Sequence, residues 1–245
     1  MSISEELQVS EPLLEPLNTR QVDRNLKAKL FIFIGSFFAI CAISVFFLQR
    51  YSNQFETPEM FKIVLYGDSL TERGLYMNGF HAILNERNIR KADIINRGYG
   101  GYKTRDLIKN LQPITNKIQA DLSFLLIGTN DAVTTPDGAA VEEYIENIHI
   151  LVDEYQKHTK DLYLVTPPPT TDAVTRDNNH TALYRDALMI IGNKTEIPVI
   201  DTWKFIAYVD LDSNDGTHFN NNGNLKIANA YQNVIDSYNL KRFLP

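Results

Sequence analysis

Short runs in this chain carry side chains suited to acyl chemistry. They are Gly67-Asp68-Ser69-Leu70-Thr71, Asn96-Arg97-Gly98-Tyr99-Gly100-Gly101, Gly128-Thr129-Asn130-Asp131 and Asp215-Gly216-Thr217-His218-Phe219. A serine hydroxyl is a weak nucleophile until an adjacent base takes its proton. The last run offers an imidazole three residues after a carboxylate, a spacing that a helical turn would bring to one face. A tetrahedral adduct also needs fixed donors for its oxyanion. The glycines let backbone N–H groups approach a ligand closely, and Asn130 adds a side-chain amide.

Each residue also has an ordinary structural reading. Ser69 would serve as a helix N-cap, with Glu72 completing a capping box. Asn130 and Asp131 suit turns or caps, and Asp131 reads as a structural hydrogen-bonding residue. Asp210 and Asp212 compete with Asp215 as partner of His218. His81, His149, His158 and His180 lack such company and read as surface or packing residues. Trp203 and Phe219 suit an acyl pocket or the core equally. A dinucleotide loop at Gly98-x-Gly100-Gly101 fails because its third position is Lys103.

The elements that would position these runs follow from hydrophobic patterning. The β-rich runs are Phe61–Tyr66, Ala92–Asn96, Leu122–Ile127, Leu162–Val165 and Pro198–Asp201. The third is almost continuously apolar, as a strand covered on both faces should be. Helical periods run through Val141, Ile145, Ile148, Val152 and Tyr155, and through Ile227, Tyr231, Val234 and Tyr238. Another helix is expected just after Ser69. Strand–helix alternation implies βαβ units, hence a parallel sheet with helices on both faces. In such sheets the functional loops gather at the carboxyl ends of the strands, where the chemical runs fall.

Ahead of this region lies Leu30–Leu48, nineteen residues without a charge. As a helix it is about 28 Å long, close to the hydrocarbon thickness of a bilayer. Ser36 and Ser44 can bond back to helix carbonyls. A buried core helix or a cleaved signal peptide fits less well, because the run is apolar all round, long, and preceded by a polar tail. Arg20, Arg24, Lys27 and Lys29 precede it, and after Arg50 no base occurs until Lys62. The positive-inside rule makes this a type II signal anchor with everything after it lumenal or extracellular. The domain plan is a flexible cytosolic tail (1–29), a membrane helix (30–48), a linker (49–60) and an enzyme domain (61–245). Sequons at Asn179 and Asn193 lie on the outer side as candidate N-glycosylation sites.

Composition narrows the alternatives. The chain has 245 residues, 44% hydrophobic and 22% charged, with net charge −6. These are globular figures, and the charge does not favour nucleic acid. The lone Cys41 excludes an internal disulfide and a cysteine-built metal cage. Nothing in the pattern specifies an oligomeric state.

The motifs resemble the SGNH, or GDSL, hydrolase superfamily, and within it the isoamyl-acetate-hydrolysing esterase group, over roughly Phe61 to Tyr238. GDSLTERG at Gly67–Gly74, NRGYGGYKTR at Asn96–Arg105, GTND at Gly128–Asp131 and DGTHFNNNG at Asp215–Gly223 carry the resemblance in order, with TPPP at Thr166–Pro169 typical of the esterase group. Gly100 is a departure, since relatives often have serine there. The resemblance implies a three-layer α/β/α, flavodoxin-like, five-stranded parallel sheet and a serine esterase of small carboxylic esters, with no metal or cofactor. It assigns Ser69 as nucleophile, His218 as general base and then acid, and Asp215 as the residue orienting His218. The oxyanion hole would be the backbone N–H groups of Ser69 and Gly101 with the Asn130 amide. Glycan O-acetylesterase, lysophospholipase or thioesterase activity, and an inactive membrane-tethered binding module, are the competing expectations.

Overall fold

A computed structural model describes residues 19–54, 60–171 and 175–243. The chain separates into two units, Met1–Glu59 and Met60–Pro245.

Among its described residues the first unit contains one helix, α1 (Thr19–Gln54), of 36 residues. Its Leu26–Leu48 stretch, with mean hydropathy 2.6, is long and apolar enough by composition to cross a membrane. Ser36 Oγ lies 2.9 Å from the Ile32 and Phe33 carbonyls, so its hydroxyl is satisfied within the helix. The helix begins inside the segment read as a flexible tail and continues into the segment read as a linker. Arg20, Arg24, Lys27 and Lys29 are good helix formers, and a nucleated apolar helix extends through such flanks at little cost. The rest of the expected tail, residues 1–18, and residues 55–59 of the expected linker lie outside the described residues.

The second unit is built on five parallel strands: β1 (Phe61–Gly67), β2 (Ala92–Gly98), β3 (Ala120–Leu126), β4 (Thr159–Val165) and β5 (Val199–Ile200). Their order is β2-β1-β3-β4-β5, so the expected flavodoxin-like α/β/α architecture is present. The chain leaves β1 toward one edge and returns to β3 on the other side. Such a reversal opens a crevice at the carboxyl ends of the two strands.

Alternate strand residues feed separate cores. Val64, Tyr66 and Leu125 pack beneath α4 (Thr104–Lys109), α5 (Leu111–Thr115), α6 (Val141–Tyr155) and α7 (Asn178–Thr195). Ile63, Leu65, Phe124 and Leu126 pack against α2 (Ser69–Arg73), α3 (Phe80–Arg87) and α8 (Asn221–Phe243). The Tyr66 ring stacks on Tyr155 at 4.1 Å and Phe124 on Tyr231 at 4.2 Å, anchoring α6 and α8 to opposite faces. Burying each such aliphatic or aromatic side chain contributes roughly 1.5–3 kcal/mol, which makes the sheet a stiff platform for its loops.

Candidate active site

Chain reversal between β1 and β3 places the GDSL and GTND runs on either side of one crevice. The Asp68 side chain caps α2, its Oδ1 accepting the Leu70 N–H at 2.9 Å. Ser69 is therefore the first residue of the helix and not its cap, which corrects the structural reading of that serine. Its half-buried hydroxyl is left for other contacts.

The β2 end is drawn tightly onto α2. Asn96 Nδ2 donates to the Thr71 carbonyl at 2.6 Å, and a Cβ on Gly98 would stand 2.1 Å from Glu72 N. Gly101 adopts φ +76°, a backbone region costly for residues with a Cβ. Asn130 Nδ2 donates to the Tyr102 carbonyl at 3.0 Å, so the loops after β2 and β3 are joined beside Gly101.

The fourth run arrives from the far end of the domain. Asp215 Oδ1 accepts the backbone N–H groups of Thr217 and His218, each at 2.9 Å. Its Oδ2 lies 2.7 Å from His218 Nδ1, and His218 Nε2 lies 2.8 Å from Ser69 Oγ. Residues 215–218 form a tight turn and not the helical turn expected from the spacing. The carboxylate that closes the turn also faces the imidazole, which an Asp-centred turn permits at this separation. Asp210 is paired with Lys226 at 2.6 Å and Asp212 closes its own turn onto Asn214, so Asp215 is the carboxylate on His218.

Electrostatics fit these contacts. Burial pulls His218 below the usual histidine range against the attraction of Asp215, with Arg73 and Arg176 adding to the fall. Burial opposes ionisation of Asp215, but the His218 and Thr217 N–H groups and the imidazole outweigh it, holding its carboxyl at about 2. With an ionised carboxylate on Nδ1, the neutral ring carries its proton there, leaving Nε2 to accept the Ser69 O–H. Such a chain can deprotonate a hydroxyl as it attacks a carbonyl carbon.

Two acids beneath the loops have other work. Asp131 accepts the Thr104 N–H and hydroxyl, at 3.1 and 2.6 Å, in the structural role read for it. Burial raises Asp131 to about 6 and Asp68 to about 7.

The remaining histidines stand apart. His81 is buried with Nε2 2.9 Å from the Ile94 carbonyl, His149 is exposed, His158 meets Glu154, and His180 meets the Ala132 carbonyl. Trp203 donates from Nε1 to the Pro167 carbonyl at 2.9 Å, while Phe219 packs on the α8 side of the core. Phe219 also borders a surface cleft with Thr171, Tyr208, Leu211 and Gly216. Asn179 and Asn193 are exposed near opposite ends of α7.

The sequence reading missed two arginines. Arg73 Nη1 donates to Asp215 Oδ2 at 3.3 Å. Arg176, immediately before the Asp177 cap of α7, donates to the Thr129 carbonyl and to Asn130 Oδ1. Neither has a local spacing signal, since each reaches its partners across distant loops.

A profile of the GDSL-like Lipase/Acylhydrolase family matches residues 65–226, which span all of these loops. The chain belongs to this family. As a GDSL acylhydrolase it is a carboxylic ester hydrolase. It is 28% identical over 194 residues to a GDSL esterase/lipase of Arabidopsis thaliana, covering 66% of this chain and 80% of the relative. It is 24% identical over 200 residues to the isoamyl acetate-hydrolyzing esterase 1 homolog of Mus musculus, covering 66% of this chain and 76% of that one. The fold of this acylhydrolase is similar to that of the acetyl xylan esterase AlAXEase, with TM-score 0.64 and 21% identity over 71% of this chain and 100% of the other. The lipase/acylhydrolase from Enterococcus faecalis is similar with TM-score 0.63 and 24% identity, over 73% of this chain and 97% of that one.

Proposed function

We propose that the chain is a membrane-anchored serine esterase that hydrolyses short-chain, acetyl-type esters, with its enzyme domain in a lumen or outside the cell. One observation carries the chemistry: the unbroken hydrogen-bond path from Ser69 Oγ through His218 to Asp215. Ser69 attacks the ester carbonyl carbon as its proton passes to His218 Nε2. The oxyanion is received by the Ser69 and Gly101 N–H groups and by the Asn130 amide. Collapse of the adduct expels the alcohol, which takes the proton from His218. Water then attacks the acyl-Ser69 ester by the same route and releases the carboxylic acid. Asp215 keeps the imidazole oriented and stabilises its protonated form. The acetyl preference is supported by the isoamyl acetate-hydrolyzing relatives. The anchor is supported by the Leu26–Leu48 span of α1 and the bases on its N-terminal side.

The full chain in detergent, offered nitrophenyl esters of rising acyl length together with acetylated xylo-oligosaccharides and lysophosphatidylcholine, is expected to turn over the acetyl ester fastest. A long-chain optimum overturns the acetyl assignment. A fluorophosphonate probe is expected to label the folded protein, and absence of labelling supports a binding module instead. In sealed microsomes the domain should resist added protease, and glycosidase should increase its mobility if Asn179 or Asn193 is modified. Protease sensitivity overturns the topology.

The pH dependence follows from His218. The base must be neutral, so kcat/KM rises with pH as the imidazolium loses its proton and then levels. Because burial depresses this group, the midpoint should fall below the ordinary histidine value of about 6.5. Asp215, held at about 2, stays ionised throughout. A midpoint at or above 6.5 contradicts the assignment.

A further inference from the structure

Resting on the reaction just proposed, we infer that Arg176 is a positioning residue for ester hydrolysis, holding the Asn130 amide toward the developing oxyanion and adding fixed positive charge beside it. Its backbone is well placed to do so. The Thr175 carbonyl accepts the Thr134 N–H at 3.1 Å, and Asp177 on the other side caps α7 through the Asn179 N–H at 2.8 Å. The backbone at Arg176 is thus held between the loop after β3 and the start of a long helix.

From there its planar fork addresses consecutive residues. Nη1 donates to the Thr129 carbonyl, and Nη2 lies 3.4 Å from Asn130 Oδ1. A guanidinium has donors only, so Asn130 must present its oxygen to Arg176 and its nitrogen to the opposite side. The Tyr102 carbonyl, 3.0 Å from Nδ2, selects the same orientation. One amide hydrogen is used on Tyr102, and the other is the donor the proposed mechanism requires. Charge on the Oδ1 side also polarises the amide and strengthens that donor.

The charge balance around Arg176 points the same way. Among the described residues no carboxylate is in ion-pair contact with it, although Asp68 and Asp215 are near enough to act through space. Burying a guanidinium without a paired anion is costly. Negative charge on the carbonyl oxygen during turnover offsets that cost where it matters for rate. A purely structural tether between loop and helix would need neither the cation nor the two-pronged contact.

The test uses the full chain in detergent with nitrophenyl acetate. Arg176→Met should lower kcat by about 10- to 100-fold, with KM within about twofold of the parent. On an Asn130→Ala background the same change should cost clearly less, because the part that acts through the amide is gone and only the direct effect of the charge remains. The charges facing His218 are Asp215 from its own turn, Arg73 from α2 and Arg176 from the turn before α7. Arg176→Met should therefore move the acidic limb of kcat/KM to higher pH. Arg176→Lys keeps the charge and loses the fork, so kcat should fall while the limb stays in place. This second variant also decides the matter if Arg176→Met fails to fold. Parent-like kcat in either variant, or an equal loss with and without Asn130, overturns the inference. Hydrolysis by Ser69→Ala at the parent rate would instead remove the reaction on which it rests.

Discussion

Replacing Ser69 by alanine is expected to lower kcat for acetate esters by at least about 10⁴-fold, leaving the residual rate contributed by substrate binding and the oxyanion donors. The protein should remain folded. The helix cap is Asp68, the helix contact to the Leu126 carbonyl runs through Asp68 N, and the Ser69 hydroxyl meets only His218 among the described side chains. A comparable loss is expected for His218→Ala, and the double variant should be little slower than either alone, because the pair acts as one proton-transfer unit. Steady-state hydrolysis, fluorophosphonate labelling and thermal unfolding measured together separate loss of chemistry from loss of fold. Parent-like turnover by folded Ser69→Ala would place the nucleophile elsewhere.

Asn130→Ala should cost about 10²- to 10³-fold in kcat, or roughly 3–4 kcal/mol of transition-state stabilisation, with KM little changed. The loss combines the missing donor with release of the Tyr102 carbonyl, which the amide ties down at 3.0 Å. Asn130→Asp separates the contributions. It preserves the shape but exchanges a donor for an acceptor, turning attraction for the oxyanion into repulsion, so it should be at least as slow as the alanine variant. An Asn130→Asp enzyme faster than Asn130→Ala would show that the side chain fills space and does not receive charge.

Much of this arrangement is legible in the sequence. The near-continuous apolar run of β3 and the periods of α6 and α8 survive because burial on a stiff sheet makes patterning strict. Placing Ser69, Asn130 and the Gly-containing loops at strand ends then needs only the rule about carboxyl edges. The helix α7 is harder to see, since Tyr184, Leu188 and Ile191 form its buried stripe amid Asn, His and Thr residues that favour turns. The partnership of Asp215 and His218 is suggested by their spacing and by the family resemblance, with Asp210 and Asp212 as rivals, but its geometry is not legible. The carboxylate bonds to two backbone N–H groups and thereby shapes a turn where helical periodicity suggests a helix. Arg73 and Arg176 are invisible for a different reason. A long, flexible cation reaches its partner from another loop, and no spacing along the chain encodes that meeting.

The Ser69–His218 contact also bears on how the molecule comes into being. Its two members stand 149 positions apart, and the turn holding His218 is followed directly by α8, whose Ile227, Tyr231 and Ile235 settle on the sheet. Synthesis therefore delivers the hydroxyl 149 residues ahead of its base. On the proposed mechanism a growing polypeptide carries an inert serine until the turn before α8 is in place, so hydrolysis would report that the two distant segments have met.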